Sequence, residues 1–212
     1  MQSRPGAMGH TGVVDFRAVE GNLRESFRIL ARHSPDGEIR EYEGVTIASS
    51  GVAFQMFNAA FFSSPVRDEE DLRRRVAECA VHFGARGLGW ACWMCTDWLP
   101  AELLPRVRLV FRDCQMRFAA DMPGMVSKRL PPPSRALPRL EIRRVTGGAA
   151  RQDFCALGST CFNVPLPWFS EVFGNDDVWA EFASWVGYAD GVPVATAAAV
   201  AGAGVVGLYN IG

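Results

Sequence analysis

The sequence predicts an α/β protein of the α+β kind, with mixed, mostly antiparallel sheet flanked by helices. Short apolar stretches of strand length alternate with amphipathic segments of helix length. This order stops at a proline-rich stretch, residues 128–139, and then begins again. The chain has 212 residues, 49% of them hydrophobic, which is enough for one large or two small domains with a buried core.

The first predicted unit covers residues 13–127, after a lead of residues 1–12 that we expect to be disordered. Val19, Leu23 and Phe27 recur at helical spacing and place one apolar face on a first helix. Acidic residues at the start of a second helix suit the positive end of its dipole. In chain order we predict a helix at 15–32, strands at 38–42, 45–50 and 53–61, a helix from 68, a strand at 90–95, a helix at 101–111 and a strand at 117–126.

The second predicted unit covers residues 140–212 and follows a linker. Prolines within residues 128–139 favour extended backbone over a packed element. Asp190-Gly191 is a strong signal for a two-residue hairpin. We predict a strand at 140–145, a helix capped by Thr146, an irregular aromatic segment at 162–179, and a three-stranded antiparallel meander at 182–189, 192–200 and 205–211.

The meander carries a resemblance to a known family. Residues 186–197, joined by the Asp-Gly turn, resemble the second and third strands of GNAT-type N-acetyltransferases, and residues 204–212 resemble the fourth strand. Residues 13–127 resemble the N-terminal domain of tandem GNAT proteins. This domain has the elements of a whole GNAT-like unit but often lacks a cofactor turn of its own. In the family an Arg/Gln-x-x-Gly-x-Gly/Ala turn follows the fourth strand, and its backbone N–H groups hold the coenzyme A pyrophosphate. Residues 204–212 do not include this turn. The resemblance therefore implies the first half of a second GNAT domain, truncated before that turn.

The resemblance implies two sets of site residues. In the family, the backbone of the fourth strand accepts the thioester and pantetheine arm of acetyl-CoA, and the matching positions are Tyr209, Asn210, Ile211 and Gly212. In the family the acceptor pocket lies beside the first helix of the GNAT domain and the loop that follows it. Aromatic residues after the matching helix of the second unit are candidates for the pocket wall, although such residues also commonly close over a core. These are Phe162, Trp168, Phe169 and Phe173. No catalytic residue is assigned, and we expect this chain to bind acetyl-CoA weakly or not at all.

Three functions stay open at this point. The resemblance implies acetyl transfer from acetyl-CoA to a small-molecule or peptide amine. A non-catalytic GNAT-like binding or assembly module is the alternative. A thiol oxidoreductase would rest on Cys92 and Cys95 alone, and residues three apart in a strand point to opposite faces. A zinc site normally needs four ligands. We therefore expect core thiols and no metal.

Charge and hydropathy bear on which partners the protein binds and on its cellular location. With 22 basic and 23 acidic residues the formal net charge is -1, which gives no basis for binding nucleic acid or an acidic membrane. No stretch resembles a membrane-spanning segment or a signal peptide, so we expect a cytoplasmic, bacterial-type protein with reduced cysteines. Val205–Ile211 has neither charge nor proline to protect an edge, and we expect self-association through it.

Overall fold

The computed structural model describes residues 14–212, so the predicted disordered lead at 1–12 lies outside the described residues. Within this range the chain forms two four-stranded sheets with helices on their faces, which confirms the predicted fold class. None of the helices in this part of the chain combines the length and the apolarity needed to cross a bilayer.

The first sheet has strand order β1-β2-β3-β4. Its first three strands are antiparallel neighbours, whereas β3 and β4 are parallel and are connected through α2. The elements are α1 (Val14–His33), β1 (Glu38–Tyr42), β2 (Val45–Ser49), a 3-10 turn (Gln55–Phe57), β3 (Asn58–Phe62), α2 (Glu69–Ala85), β4 (Ala91–Trp93), a second 3-10 turn (Thr96–Trp98) and α3 (Val107–Asp113).

Several predicted bounds in this unit were wrong. The strand predicted at 53–61 begins only at Asn58, because the buried Asn58 amide holds the preceding 3-10 turn through the carbonyls of Val52 and Phe54. The helix predicted at 101–111 is shorter and later, at Val107–Asp113. The strand predicted at 117–126 is not formed, since this exposed stretch has no strand partner.

The second sheet has order β5-β6-β7-β8 and is entirely antiparallel. Positive φ angles of 50° at Asp190 and 81° at Gly191 confirm the predicted two-residue hairpin between β6 and β7. The elements are β5 (Glu141–Arg144), α4 (Gly148–Phe162), α5 (Leu166–Val172), α6 (Val178–Glu181), β6 (Ala183–Ala189), β7 (Val192–Gly202) and β8 (Val205–Tyr209).

Two predictions about the second unit need correction. The aromatic segment predicted to be irregular contains the short helices α5 and α6. Phe169, Val172 and Phe173 recur at helical spacing and bury one face of α5, and α6 buries Val178 and Trp179. Thr146 does not cap α4. The N-cap position is Gly147, and no side chain caps this helix.

Helix α1 lies between the two sheets. It packs against β1 and β2 on one side and against β7 and β8 on the other. Phe27 contacts Phe61 of β3 at a ring-centroid distance of 5.4 Å. Ile29 and Leu30 join a core formed mainly by the second unit, whereas a separate core lies between the first sheet and α2. The first unit therefore supplies part of the support for the second sheet.

Candidate functional site

Strand β8 ends in a β-bulge. Up to Tyr209, which pairs with Ala198, the register against β7 is regular. Beyond it, Thr196 and Gly212 exchange both backbone hydrogen bonds, at 2.8 and 3.2 Å, so β8 contains one residue more than β7 over this interval. Asn210 adopts a left-handed φ of 48°, and its carbonyl accepts a 2.8 Å hydrogen bond from the Thr196 hydroxyl. Bulges of this kind are frequent beside active sites, where they end or redirect strand pairing.

The bulge leaves backbone groups without protein partners. Within residues 14–212, the N–H groups of Asn210 and Ile211 and the carbonyl of Ile211 make no backbone hydrogen bond. Ile211 and Gly212 are exposed. Among residues 14–212 β8 pairs with β7 only, so the strand that leads into these free donors and acceptors is an edge strand of its sheet. An extended polar ligand arm could therefore add to this edge through main-chain hydrogen bonds.

The side chain of Tyr209 points away from the open edge. Its hydroxyl donates a 2.5 Å hydrogen bond to Asn22 Oδ1 on α1, and burial raises the pKa of Tyr209 to about 12. The phenol is thus protonated and engaged at neutral pH. Any role of Tyr209 toward a ligand would fall to its backbone.

Cys161 flanks the bulge from the last turn of α4. A Cβ built on Gly212 would lie 2.8 Å from Cys161 Sγ, so the thiol is next to the end of the strand. Cys161 is exposed, unlike Cys79 and Cys155, which are buried. Sequence reasoning missed both Cys161 and Thr196 as neighbours of this site, since neither belongs to a recognisable motif.

The four aromatic residues predicted to form a pocket wall divide into two groups. Phe169 and Phe173 are 1% and 3% exposed, and their rings stack at 5.1 Å inside the core. Trp168 is partly buried against Phe54 of the first unit, at 5.5 Å between ring centroids. Phe162, at the end of α4, is 37% exposed and follows Cys161 directly. Phe162 and Trp168 thus retain accessible surface, whereas Phe169 and Phe173 pack inward.

The start of α2 in the first unit is occupied by the chain's own carboxylates. Asp68 caps the helix by accepting from the Asp71 N–H at 2.9 Å. Buried Asp71 accepts from the Arg67 N–H at 3.1 Å and from Arg75 Nη2 at 2.8 Å. Although burial alone would raise it, these hydrogen bonds hold the pKa of Asp71 well below its usual range. Negative charge already fills this helix start, which disfavours an anionic ligand there.

Cys92 and Cys95 carry no sign of reactive chemistry. Cys92 lies in β4 and is partly buried, and Cys95 follows the strand rather than belonging to it, contrary to the predicted bounds of 90–95. Burial raises the pKa of Cys92 well above its usual range and that of Cys95 to about 11. Both groups are therefore thiols rather than thiolates at neutral pH. Across residues 14–212 no three His, Cys, Asp or Glu side chains are grouped as metal ligands would be.

The order of strand, helices and antiparallel meander, ending in a bulged fourth strand, defines a GNAT-like fold. A solved structure, a GCN5-related N-acetyltransferase from Kribbella flavida, matches over 95% of this chain and 72% of its own length, with a TM-score of 0.59 and 16% sequence identity. At that identity the likeness is one of fold. No protein-family model matches the sequence, and neither does any curated protein.

Proposed function

We propose that this protein is a GNAT-type N-acetyltransferase that binds the thioester and pantetheine arm of acetyl-CoA along the open edge of β8. The observation that carries the proposal is the bulge at Asn210 and Ile211, which leaves strand N–H and C=O groups free beside an exposed thiol. The GNAT-like fold supports it, because the neighbouring structure is described as an N-acetyltransferase.

The chemistry would be a direct transfer. The nitrogen of a small-molecule or peptide amine attacks the thioester carbonyl and loses a proton, the carbon–sulfur bond breaks, and the leaving thiolate takes up a proton. A free backbone N–H in the bulge would stabilise the negative charge that develops on the carbonyl oxygen. Phe162 and Trp168 are the predicted wall residues with accessible surface for the acceptor.

The proposal can be tested with two acyl donors that share the thioester arm. S-acetylpantetheine lacks the nucleotide and its phosphates, whereas acetyl-CoA has them. Residues 205–212 do not include the Arg/Gln-x-x-Gly-x-Gly/Ala turn that follows the fourth strand in the GNAT family. We therefore expect both donors to bind weakly to the 212-residue chain, with similar dissociation constants, and to release thiol when an acceptor amine is supplied.

Alkylation of Cys161 reports binding directly, because Gly212 lies against this thiol. Either donor should slow the alkylation. Asn210→Val should abolish the protection, because a β-branched residue rarely adopts positive φ, whereas Asn210→Gly retains the backbone conformation and should keep it. Absence of protection by both donors, up to their solubility limits, would overturn the proposal.

A further inference from the structure

We propose that Asn22, a residue of α1 in the first unit, is a positioning residue for the acyl-donor end of β8 in the second unit. The inference rests on the proposed function, since it concerns the same strand. It assigns to the first unit the task of holding the bulged strand in register.

Asn22 bonds to both strands of the β7–β8 hairpin. The residue is 1% exposed. Its side-chain amide donates to the carbonyls of Val200 at 3.1 Å and Gly202 at 3.0 Å, and also approaches the Val205 carbonyl at 3.4 Å. Its Oδ1 accepts the 2.5 Å hydrogen bond from the Tyr209 hydroxyl. Every polar group of this buried amide is therefore satisfied by the second unit.

Glycines permit this close approach. A Cβ on Gly207 would lie 1.9 Å from Asn22 Oδ1 and 2.7 Å from the Tyr209 hydroxyl, so a side chain at this position would displace the contact. A Cβ on Gly21 would lie 3.0 Å from the Ala203 Cβ, at the turn of the hairpin. Helix and hairpin are thus fitted to each other around Asn22.

The contact lies next to the bulge. Tyr209 is the last residue in regular register with β7, and Asn210, the next residue, has the left-handed φ. Because β8 is an edge strand of its sheet within residues 14–212, its end is held by fewer hydrogen bonds than a central strand would be. The hydrogen bond from the Tyr209 hydroxyl to Asn22 fixes the position of Tyr209 against α1. It therefore also fixes the direction in which the free N–H groups of Asn210 and Ile211 point. Loss of the bond should therefore weaken donor binding without removing any atom that touches the donor.

The test compares Tyr209→Phe with Tyr188→Phe. Each change removes one hydroxyl from the inward face of the same sheet, but Tyr188 is on β6 and bonds to Asp153 at 2.7 Å, away from the bulge. Asn22→Ala and the double variant Asn22→Ala/Tyr209→Phe complete a cycle. Three measurements serve: the dissociation constant of S-acetylpantetheine from Cys161 protection, the thermal midpoint, and hydrogen exchange at residues 210–212.

We expect Tyr209→Phe to weaken donor binding about tenfold, the change that corresponds to one buried hydrogen bond, and to speed exchange at residues 210–212. The double variant should bind no more weakly than Asn22→Ala. Tyr188→Phe should lower the thermal midpoint yet keep the wild-type dissociation constant. Unchanged binding in Tyr209→Phe, or equal weakening in Tyr188→Phe, would overturn the inference while leaving the proposed function intact. A wild-type chain that shows no protection by the donor would overturn both.

Discussion

His33 on α1 and Glu181 on α6 form a hydrogen bond between the two units, with 2.6 Å between His33 Nε2 and Glu181 Oε1. Arg32 adds a second contact to the same carboxylate at 3.1 Å. The hydrogen bond from His33, followed by the charge of Arg32, holds the pKa of Glu181 below its ordinary value, although burial opposes the effect. A pH change that protonates Glu181 therefore acts on the interface between the units.

The first prediction concerns acid stability. A carboxylate with a lowered folded pKa contributes stability that is present above its unfolded pKa, about 4.5, and is lost as pH falls through the lower folded value. Thermal unfolding scans from pH 7 to pH 3 should show a steeper loss of midpoint in the wild type than in Glu181→Gln. Because the side chain is 39% exposed, the effect should be small. Glu171→Gln, an exposed residue of α5, should follow the wild type. Parallel curves for wild type and Glu181→Gln would contradict the prediction.

The second prediction concerns the buried ion pair at the start of α2. Asp71 and Arg75 have side chains that are 2% and 4% exposed, and their closest atoms lie 2.8 Å apart. Asp71→Asn would leave the Arg75 guanidinium buried without its counter-charge. We expect a loss of about 3–5 kcal/mol in the free energy of unfolding, measured by urea denaturation. Glu70→Gln removes one negative charge from the same helical turn, but at an exposed position, and should change stability by less than about 0.5 kcal/mol. Equal effects of the two variants would show that only the charge of the turn matters.

The elements that sequence reasoning predicted well are those set by local chemistry. Asp190-Gly191 has one favourable turn geometry, and the acidic start of α2 is capped by Asp68 as the helix dipole favours. Residues 117–126 have the apolar content of a strand, but strand formation needs a partner edge, and no local pattern specifies one.

The candidate site was only partly predictable for a similar reason. The end of β8 could be located from the resemblance of residues 204–212 to a known strand. The hydrogen bond between Asn22 and Tyr209, which supports that strand, could not be predicted. The two residues are 187 positions apart, and Asn22 lies in an ordinary amphipathic helix. The one trace in the sequence is Gly207, a glycine inside a strand, which often marks a close approach of another group.

The third prediction concerns the thiols. Cys161 is exposed, whereas burial raises the pKa of Cys92 and holds that of Cys95 at about 11. A thiol reagent at pH 7.5 should therefore label Cys161 first in the native protein, and Cys92 and Cys95 only slowly until denaturant is added. Mass spectrometry of digested samples would identify the labelled positions. Cys161→Ser should remove the fast phase. Rapid native labelling of both Cys92 and Cys95 would instead favour redox chemistry in the first unit.

The outward face of the second sheet bears on self-association. Helix α1 covers the inward side of β8 at Tyr209, but Val206 and Leu208 point outward and are 65% and 58% exposed. Ile142 on β5 is 61% exposed on the same outward face. The open edge of β8 carries no charge or proline within its five residues. These features are those that ordinary edge strands avoid.

The fourth prediction follows from that surface. When no acyl donor occupies the open edge, we expect two copies of the chain to pair through β8, antiparallel and symmetric, because a strand that pairs with its own copy buries the same groups on both sides. Val206→Lys/Leu208→Lys should shift the chain toward monomer, since like charges would face each other across the new pair. Val81→Lys makes the same kind of change at a residue of α2 that is 73% exposed, and should leave association unaltered. Light scattering over a concentration series would measure the mass of each variant. A wild type that stays monomeric at the highest concentration would contradict the prediction.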